Sequence, residues 1–255
     1  MDSYLKILYQ AEKGIARITL NRPEKRNALD ADLLREVGEA LHTSSADQSV
    51  RVVLLAGAGK DFCSGADLAG LHRASEAGVL DNMADARVMA DLFLQMRHHP
   101  CPIVAAVRGR ALAGGCGLAT AADLIVASES AQFGYPEVNI GFIPAMVMAI
   151  LRRSVSEKRA FELIAMGEVI SSQTALEMGL INRVFSDETF DIDVAAYATK
   201  LAAKPSSAIR LSKNLLYHMD GLSFEAAIQS GVHMNAIARM TDDCKQGIER
   251  FLKRQ

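Results

Sequence analysis

Two glycine-containing turns follow apolar segments of the chain and carry residue types suited to binding negative charge. Residues 62–68 (FCSGADL) follow the run RVVLLA, and residues 113–118 (AGGCGL) follow the run PIVAAV. A turn that leaves a buried strand and enters a helix presents unpaired backbone N–H groups at the positive end of the helix dipole. Glycine also lets a ligand approach that backbone closely. The turns are therefore suited to stabilising a developing oxyanion, but ordinary strand-to-helix turns with small packing residues have the same composition.

Other glycine, histidine, serine and cysteine residues do not fit known catalytic or cofactor templates. Residues 57–60 (GAGK) lack the spacing of a phosphate-binding P-loop, and neither they nor residues 114–117 (GGCG) match G-x-G-x-x-G. The six histidines include no H-E-x-x-H pattern, and no serine lies in a G-x-S-x-G segment. Cys116 lies among small residues, and we interpret it as a packing residue. The sequence thus predicts no metal site.

The elements that position the two turns alternate between strands and helices. Residues 14–21 alternate apolar and polar side chains, which predicts a half-buried strand, and Asp30 is a suitable N-cap for a helix that follows. Residues 51–56 form a short apolar run typical of a strand buried on both faces. Further expected elements are a helix at 83–97, strands at 103–107 and 123–127, and helices almost throughout after about Ser154. For these later helices the expected N-caps are Ser156, Ser171 or Ser172, and Ser223. Gly167 and Gly179 are expected to end helices, and Pro205 is expected to begin one. This alternation predicts an α/β fold with a largely parallel sheet.

Composition narrows the class of protein and its partners. The chain has 255 residues, of which 50% are hydrophobic, and 28 basic against 30 acidic residues give a formal charge of −2. No basic run suggests nucleic acid or an anionic membrane surface as a partner. The longest apolar run, residues 140–151, is interrupted by Pro144 and is shorter than the roughly 20 residues of a membrane helix. The N-terminus lacks the pattern of a signal peptide, and the four cysteines form no C-x-x-C pair, so we expect a cytoplasmic location.

Four segments resemble the crotonase, or enoyl-CoA hydratase/isomerase, superfamily in their order and spacing. They are LNRPEKRNAL (20–29), VVLLAGAGKDFCSGADL (52–68), PIVAAVRGRALAGGCGLATAADLIVASESAQFGYPEVNIGFIPA (102–145) and ISSQTALEMGLINRVF (170–185). The resemblance covers nearly the whole chain, and bacterial enoyl-CoA hydratases are the members that it is most similar to.

The resemblance implies a particular α/β architecture. Members of the superfamily fold as a spiral of ββα units that forms two packed sheets, followed by a C-terminal helical region. For this chain it implies an α/β core over residues 1–195 and a helical region over residues 196–255 that serves oligomerisation and closes the substrate site. A homotrimer or homohexamer is the assembly that it implies.

The resemblance also assigns roles to individual residues. The N–H groups of Ala66 and Gly114 would hold the thioester carbonyl of an acyl-CoA substrate, and Glu137 would transfer a proton. Asp67, beside the first turn, is expected to be a cap or structural acceptor rather than a catalytic carboxylate. The substrate-binding positions that the resemblance implies are Lys25, Arg26, Ala28, Gly65, Asp67, Leu68, Gly117 and Lys253. The alternative for the basic residues is a solvated surface. No metal or redox cofactor is implied, because coenzyme A enters as part of the substrate.

The sequence departs from the superfamily pattern at one catalytic position. Well-known hydratases carry two glutamates, whereas this chain has Gly117 at the first position and keeps only Glu137 at the second. Hydration of a 2-enoyl-CoA is the first hypothesis, with help from Glu76 or Asp81 as an option. Isomerisation of a 3-enoyl-CoA, which one carboxylate can perform, is the second. The third hypothesis is a non-catalytic acyl-CoA-binding or scaffold protein.

Overall fold

Two sheets form the centre of the molecule. The structure is a computed structural model that describes residues 4–253 without the side chain of Leu68. The larger sheet has the strand order β1-β2-β3-β4-β6-β9 and consists of β1 (Ile7–Glu12), β2 (Ile15–Leu20), β3 (Val52–Gly57), β4 (Ile103–Val107), β6 (Leu124–Ser128) and β9 (Arg183–Phe185). The smaller sheet has the order β5-β7-β8 and consists of β5 (Arg110–Leu112), β7 (Gln132–Gly134) and β8 (Val169–Ser171).

The larger sheet is parallel except at one edge. From β2 to β9 every neighbouring pair of strands is parallel, whereas β1 pairs antiparallel with β2. The alternation predicted for β2 is confirmed, since Ala16, Ile18 and Leu20 are all buried. The sequence did not predict β1, because Ile7 is its one fully buried residue and the exposed edge strand shows no clean two-residue period.

The third strand of the larger sheet is buried on both faces, as its apolar run predicts. Val53 and Leu55 point into the main hydrophobic core, while Val52 and Leu54 belong to a second, smaller core. The second core is closed by a helix, Phe190–Ala202, which packs Phe190 against it. Helices therefore cover both faces, which satisfies the requirement of a parallel sheet.

Eleven helices lie in the described part of the chain. They are α1 (Ala31–Ala46), α2 (Leu68–Glu76), α3 (Val79–His98), α4 (Gly114–Thr120), α5 (Ala145–Ser154), α6 (Glu157–Met166), α7 (Ser172–Glu177), α8 (Phe190–Ala202), α9 (Ser206–His218), α10 (Phe224–Met240) and α11 (Asp242–Leu252). The predicted N-caps Asp30, Ser156, Ser171 and Ser223 are confirmed, because each side chain accepts a hydrogen bond from a backbone N–H of the first turn. None of the helices within residues 4–253 is long and apolar enough to cross a bilayer.

The C-terminal helices begin with a helix that belongs to the sheet. Helix α8 runs across residue 195 and packs on β2, β3 and β6, and α9, α10 and α11 then pack on one another. The division of the chain at residue 195 remains a prediction. The strands β8 and β9 interrupt the region after Ser154, where the sequence predicts helices almost throughout, and at three residues each they are too short to show a period.

A buried ion pair attaches α9 to the rest of the molecule. The Lys213 ammonium lies 2.7 Å from Asp123 Oδ2 and donates to the carbonyl oxygens of Met96 and Cys101. The Tyr217 hydroxyl donates to the other Asp123 oxygen at 2.6 Å. Burial lowers the pKa of Lys213, and the Asp123 carboxylate opposes that effect. Each charge is thus compensated by the other.

We predict that Lys213→Met lowers the free energy of unfolding by about 3–5 kcal/mol, because removing one partner leaves a buried carboxylate without its counter-charge. Urea unfolding at neutral pH measures the change. The control is Arg159→Met, which breaks an exposed pair with Glu162 and should cost about 0–1 kcal/mol. Equal effects of the two variants would contradict the role of the Lys213–Asp123 pair.

Candidate functional site

The first of the two turns leaves one backbone N–H free at Ala66. Leu29 N donates to Gly65 O at 2.7 Å and Asp67 N donates to Leu29 O at 2.8 Å, so the residues on either side of Ala66 form a short parallel bridge with Leu29. Within residues 4–253 the Ala66 N–H has no acceptor, and Ala66 is exposed. The turn therefore offers this donor to a ligand.

The second turn leaves another N–H free at the start of α4. Ala113 adopts φ 50° and ψ −128°, an unusual conformation for a residue with a side chain, and its N–H donates to Gly134 O at 2.8 Å. Gly114 then opens α4, and its N–H finds no acceptor among the described residues. The first N–H groups of a helix have no acceptor within the helix, so they can donate hydrogen bonds to an oxyanion.

The two turns lie side by side because their approach segments are hydrogen-bonded. Cys63 N donates to Arg110 O and Leu112 N donates to Cys63 O, each at 3.0 Å. Gly65 has φ +96°, and a Cβ added there would lie 2.8 Å from Ala113 Cβ and 3.6 Å from Gly114 N. Gly65 thus allows the close approach that brings the two free donors to one site. Ala66 and Gly114, which the sequence proposed as a pair, are brought together.

Glu137 follows a strand of the smaller sheet that lies next to the strand leading to Gly114. Strands β5 and β7 are parallel and pair Leu112 with Gly134, so Gly114 and Glu137 both follow the carboxyl ends of adjacent strands. Glu137 lies in a short 3₁₀ helix, Pro136–Ile140, and is 8% exposed. Its Oε2 is buried and has no hydrogen-bond partner in the described residues. Burial raises the pKa of Glu137, as expected for a carboxylate that must exchange protons.

Neutral polar groups surround Glu137 on the side of α4. Thr120 Oγ1 is 2.8 Å from the Tyr135 hydroxyl and 2.8 Å from Cys116 O. Burial raises the pKa of Tyr135 well above its usual value and raises the pKa of Cys116 to about 11. Cys116 is therefore a protonated packing residue, as its sequence context predicts. Burial also raises the pKa of Glu137, the carboxylate of this region.

Gly117 occupies the position at which the resemblance implies the first of two glutamates, and apolar side chains fill the space beside it. A Cβ added to Gly117 would overlap Val147 Cγ2 and would lie 3.4 Å from Phe93 Cζ. Both Val147 and Phe93 are buried. The missing carboxylate is thus replaced by an apolar wall.

The acidic residues proposed as helpers form no hydrogen bond with the buried Glu137 oxygen Oε2 in the described chain. Glu76 is the last residue of α2, and Asp81 lies in the first turn of α3. Both are exposed. Glu137 is accordingly the buried carboxylate of this candidate site.

The predicted CoA-binding segment lies directly against the first turn. Lys25 is exposed, with its ammonium 3.7 Å from Asp67 Oδ2, and Arg26 Nε lies 4.0 Å from Asp61 Oδ2. Ser64 N donates to Arg26 O at 3.0 Å, and Ala28 is buried. The structure therefore brings Lys25, Arg26 and Ala28 next to the free donor of Ala66.

Asp67, Leu68 and Lys253 occupy different environments. Asp67 caps α2 by accepting a hydrogen bond from Ala69 N, and its carboxylate is paired with Arg22. Leu68 begins α2, but its side chain lies outside the described residues. Lys253 follows α11, which packs on α9 and α10, and its side chain is exposed. A contribution of Lys253 to CoA binding remains a prediction.

Sequence reasoning missed the residues that support the site. Arg22 and Asn27 are buried polar residues in the LNRPEKRNAL segment, and Asn27 donates from its side chain to Ala58 O and Asp61 O. Phe93 and Val147 close the space beside Gly117. One signal could have identified Arg22: it directly follows the strand predicted at residues 14–21, and an arginine near a buried element needs a partner for its charge.

Known structures share this fold along the whole chain. The structure of an enoyl-CoA hydratase from Mycobacterium smegmatis superimposes with a TM-score of 0.93 at 33% identity, over 98% of this chain and 97% of that one. The fold is therefore that of the crotonases, with two sheets and C-terminal helices.

Sequence comparison defines the family. The family model described as enoyl-CoA hydratase/isomerase matches residues 10–255. A Thermus thermophilus protein, named provisionally as an enoyl-CoA hydratase, is 39% identical over 97% of this chain and 98% of its own length. The 2,3-dehydroadipyl-CoA hydratase of Escherichia coli is 31% identical over 98% of this chain and 96% of its length. The chain belongs to the enoyl-CoA hydratase/isomerase family.

We predict that Gly65→Ala lowers the free energy of unfolding by more than about 2 kcal/mol, because a side chain there is strained at positive φ and also meets Ala113. Thermal or urea unfolding measures the change. Gly221→Ala is the matched control, since Gly221 has φ +87° but no atom within 4 Å of the added Cβ. If Gly65→Ala costs no more than the control, close contact between the turns is not what requires glycine.

We also predict that Gly117→Ala is destabilising by about 1–3 kcal/mol, although Gly→Ala in a helix normally gains about 1 kcal/mol. Val147→Ala removes the overlapping methyl group and leaves Val147 Cβ 3.7 Å from the new Cβ. In the Val147→Ala background the cost of Gly117→Ala should therefore shrink by at least about 1 kcal/mol. Urea unfolding of the four proteins gives this coupling, and Gly231→Ala, which meets no atom within 4 Å in α10, should be stabilising. Additive effects would show that Val147 does not fill the space.

Proposed function

We propose that this protein is an enoyl-CoA hydratase that adds water across the 2,3 double bond of a 2-enoyl-CoA. The observation that carries the proposal is the buried, unpartnered Glu137 oxygen, on the same sheet edge as a turn with a free N–H group. The names of the Thermus and Escherichia coli relatives support hydration as the reaction of this family branch.

The first half of the reaction forms the bond to oxygen. The Glu137 carboxylate accepts a proton from water while the water oxygen attacks Cβ of the enoyl thioester. The electron pair of the double bond moves toward the thioester carbonyl, whose oxygen becomes an enolate. The N–H groups of Ala66 and Gly114 donate to that oxygen, and loss of one such donor typically costs about 3–4 kcal/mol of transition-state stabilisation.

The second half of the reaction returns the proton. Protonated Glu137 donates to Cα, the enolate collapses to the thioester, and Glu137 is again a carboxylate. Water has then been added across the double bond, and a single carboxyl group has served as base and acid in turn. The raised pKa of Glu137 favours this exchange, because a group is most effective at both steps when its pKa lies nearer the working pH.

Isomerisation of a 3-enoyl-CoA to a 2-enoyl-CoA is the second candidate. The apolar wall of Val147 and Phe93 beside Gly117 favours it, because that wall provides no group to hold a water molecule. Glu137 would remove a proton from C2 and return it to C4 through a dienolate held by the same two donors. The two reactions thus differ in whether water reaches Cβ.

Absorbance of the conjugated thioester separates the candidates. The purified chain is mixed with a short 2-enoyl-CoA and, separately, with a 3-enoyl-CoA. Conjugation is lost on hydration and gained on isomerisation, so the proposal expects loss with the first substrate. Gain with the second substrate and no loss with the first would establish isomerisation instead. No change with either would favour an acyl-CoA-binding or scaffold protein.

The remaining assignments concern the substrate and its surroundings. Lys25, Arg26 and Ala28 are proposed to bind the CoA portion, since they border the Ala66 turn, and Lys253 is proposed to add a cation. Gly65, Asp67, Leu68 and Gly117 shape the site around the thioester. The scheme uses no metal ion or redox cofactor, because coenzyme A arrives within the substrate. We expect the protein to act in the cytoplasm on acyl-CoA alone, with neither nucleic acid nor membrane as partner.

We predict that Glu137→Gln lowers turnover by at least about 10², because glutamine is nearly isosteric but cannot transfer the proton. Acyl-CoA binding should be retained, and steady-state kinetics with a titration of substrate checks both. The control is Glu36→Gln, since Glu36 is also buried but accepts hydrogen bonds from Leu5 N and Lys6 N far from the site. Full turnover in folded Glu137→Gln would refute the mechanism.

The same variant should be more stable than the parent at neutral pH. Burial raises the pKa of Glu137 in the folded state, so the folded protein favours the protonated carboxyl and loses stability as pH rises from the ordinary value of 4.5 through the folded pKa. Below 4.5 the group is protonated in both states and the advantage of glutamine should disappear. Urea unfolding at pH 4 and pH 8 measures the difference.

We predict a trimer or hexamer assembled through the C-terminal helices. Phe224, Ile228 and Val232 are exposed at four-residue spacing along α10, and Phe251 is exposed on α11. Such a stripe requires cover. Light scattering should give three or six times the 27.5 kDa of one chain, and Ile228→Glu should lower that mass whereas Leu8→Glu on β1 should not. A monomer whose mass is independent of dilution would contradict this assembly.

A further inference from the structure

Arg22 is a buried arginine that lies behind the candidate active site rather than in it. Its Nη1 donates to Ala28 O at 2.6 Å and lies 2.9 Å from Asp30 Oδ2, while its Nη2 donates to Asp67 Oδ2 at 2.9 Å. The Arg22 side chain is 9% exposed. A ligand therefore has little access to this guanidinium, whose donors are already directed to acceptors within the chain.

Each carboxylate that Arg22 contacts begins a helix. Asp30 accepts a hydrogen bond from Leu33 N at the start of α1, and Asp67 accepts one from Ala69 N at the start of α2. The hydrogen bond from Arg22 is the main reason that the pKa of Asp67 lies below its usual value. Arg22 thus joins two helix N-termini through one planar group.

Residues 25–29 connect the predicted CoA-binding residues to the turn that carries the Ala66 N–H. Residues 25–29 end in Leu29, which exchanges backbone hydrogen bonds with Gly65 and Asp67 on both sides of Ala66. Arg26 and Asn27 both have positive φ, at 50° and 54°, so the segment does not hold this shape through its own preferences. Arg22 N donates to Asn27 Oδ1 at 2.9 Å and helps to fix that shape.

We propose that Arg22 is a positioning residue for the reaction: it fixes the Ala66 turn relative to residues 25–29, so that binding of the CoA portion aligns the thioester carbonyl with the Ala66 N–H. The inference rests on the proposed role of Ala66 as an oxyanion donor. A displacement of about 1 Å at a reacting centre can cost about 10² in rate. Arginine is suited to the task because its planar group directs donors in fixed directions at two carboxylates, whereas a lysine ammonium lacks that fixed fork.

Two single variants and their combination test the proposal. Arg22→Lys keeps the charge but not the planar fork, and Asp67→Asn keeps an acceptor for Ala69 N while removing the charge that Arg22 holds. The double variant Arg22→Lys/Asp67→Asn shows whether the two residues act together. Asp67→Asn decides the question if Arg22→Lys does not fold.

Two readouts are measured on each folded protein. The first is kcat and KM with a 2-enoyl-CoA. The second is the absorbance of a bound aryl-substituted 2-enoyl-CoA, which shifts to longer wavelength when its carbonyl is polarised by hydrogen-bond donors. The second readout needs no turnover, so it reports on the Ala66 turn even if the protein does not hydrate its substrate.

We expect each single variant to lower kcat by 10-fold or more with little change in KM, and to reduce the absorbance shift at saturating ligand. The double variant should lose little more than either single variant, because both residues act on one turn. A folded variant with the parent's kcat and absorbance shift would overturn the proposal. A raised KM with unchanged kcat would also overturn it, since Arg22 would then act in binding.

Two control variants show whether the effects at Arg22 come from a general change at an arginine or from a general loss of stability. Arg35→Lys changes an exposed arginine on α1 that pairs with Asp32 and Glu39, and it should change neither readout. Leu41→Ala removes a buried side chain of α1 and should lower the melting temperature without changing kcat. If the parent protein polarises the bound thioester but does not hydrate it, the proposed function fails while the role of Arg22 stands.

Discussion

Hydrogen bonds hold two turns side by side, and the candidate site depends on this constraint because, in the described part of the chain, each turn presents a backbone N–H without an acceptor. The lock consists of the Cys63–Ala111 bridge and of Gly65, which gives Ala113 room to approach. Ala66 is exposed and Gly114 is half-buried, so these donors do not carry the full cost of a buried unpaired group. Hydrogen bonds hold the residues on both sides of Ala66 and the residue before Gly114, which fixes the position of these two N–H groups.

Glu137 is the carboxylate that the proposed mechanism uses, and its burial disfavours the charged form. Its carboxylate is buried without a partner for Oε2, and Val147 and Phe93 make the facing wall apolar rather than acidic. A second carboxylate at that wall would raise the pKa of Glu137 further through like-charge repulsion. With glycine there, the proposed mechanism has one titrating group, which would both accept and return the proton.

Elements with a strong local signal were predictable from the sequence, and elements fixed by contacts distant in the chain were not. The strand β3 and the caps Asp30 and Ser223 were predicted because apolar runs and capping side chains act within a few residues. The strands β5, β7 and β8 are three residues long and exist because they pair with one another. No window of sequence contains that information.

The candidate site shows the same division between local and distant causes. The glycine turns could be predicted from composition, and Glu137 could be predicted from the family resemblance. The burial of Glu137, the closure of the Gly117 position by Val147 and the contacts of Arg22 all join residues far apart in the chain. Such contacts decide which of several chemically possible residues can act, and the structure was needed to find them.

Backbone strain limits the transfer of this candidate site to another protein. Of the four non-glycine residues with positive φ in the described chain, Arg26, Asn27 and Ala113 all border the site. A short peptide with these sequences would relax to ordinary conformations, because nothing local stabilises the strained ones. Grafting the AGGCG turn onto another scaffold would therefore not transfer its donor. The strand that carries Gly134 and the segment that carries Cys63 and Gly65 would have to be transplanted with it, so the smallest portable unit is a set of three chain segments rather than a loop.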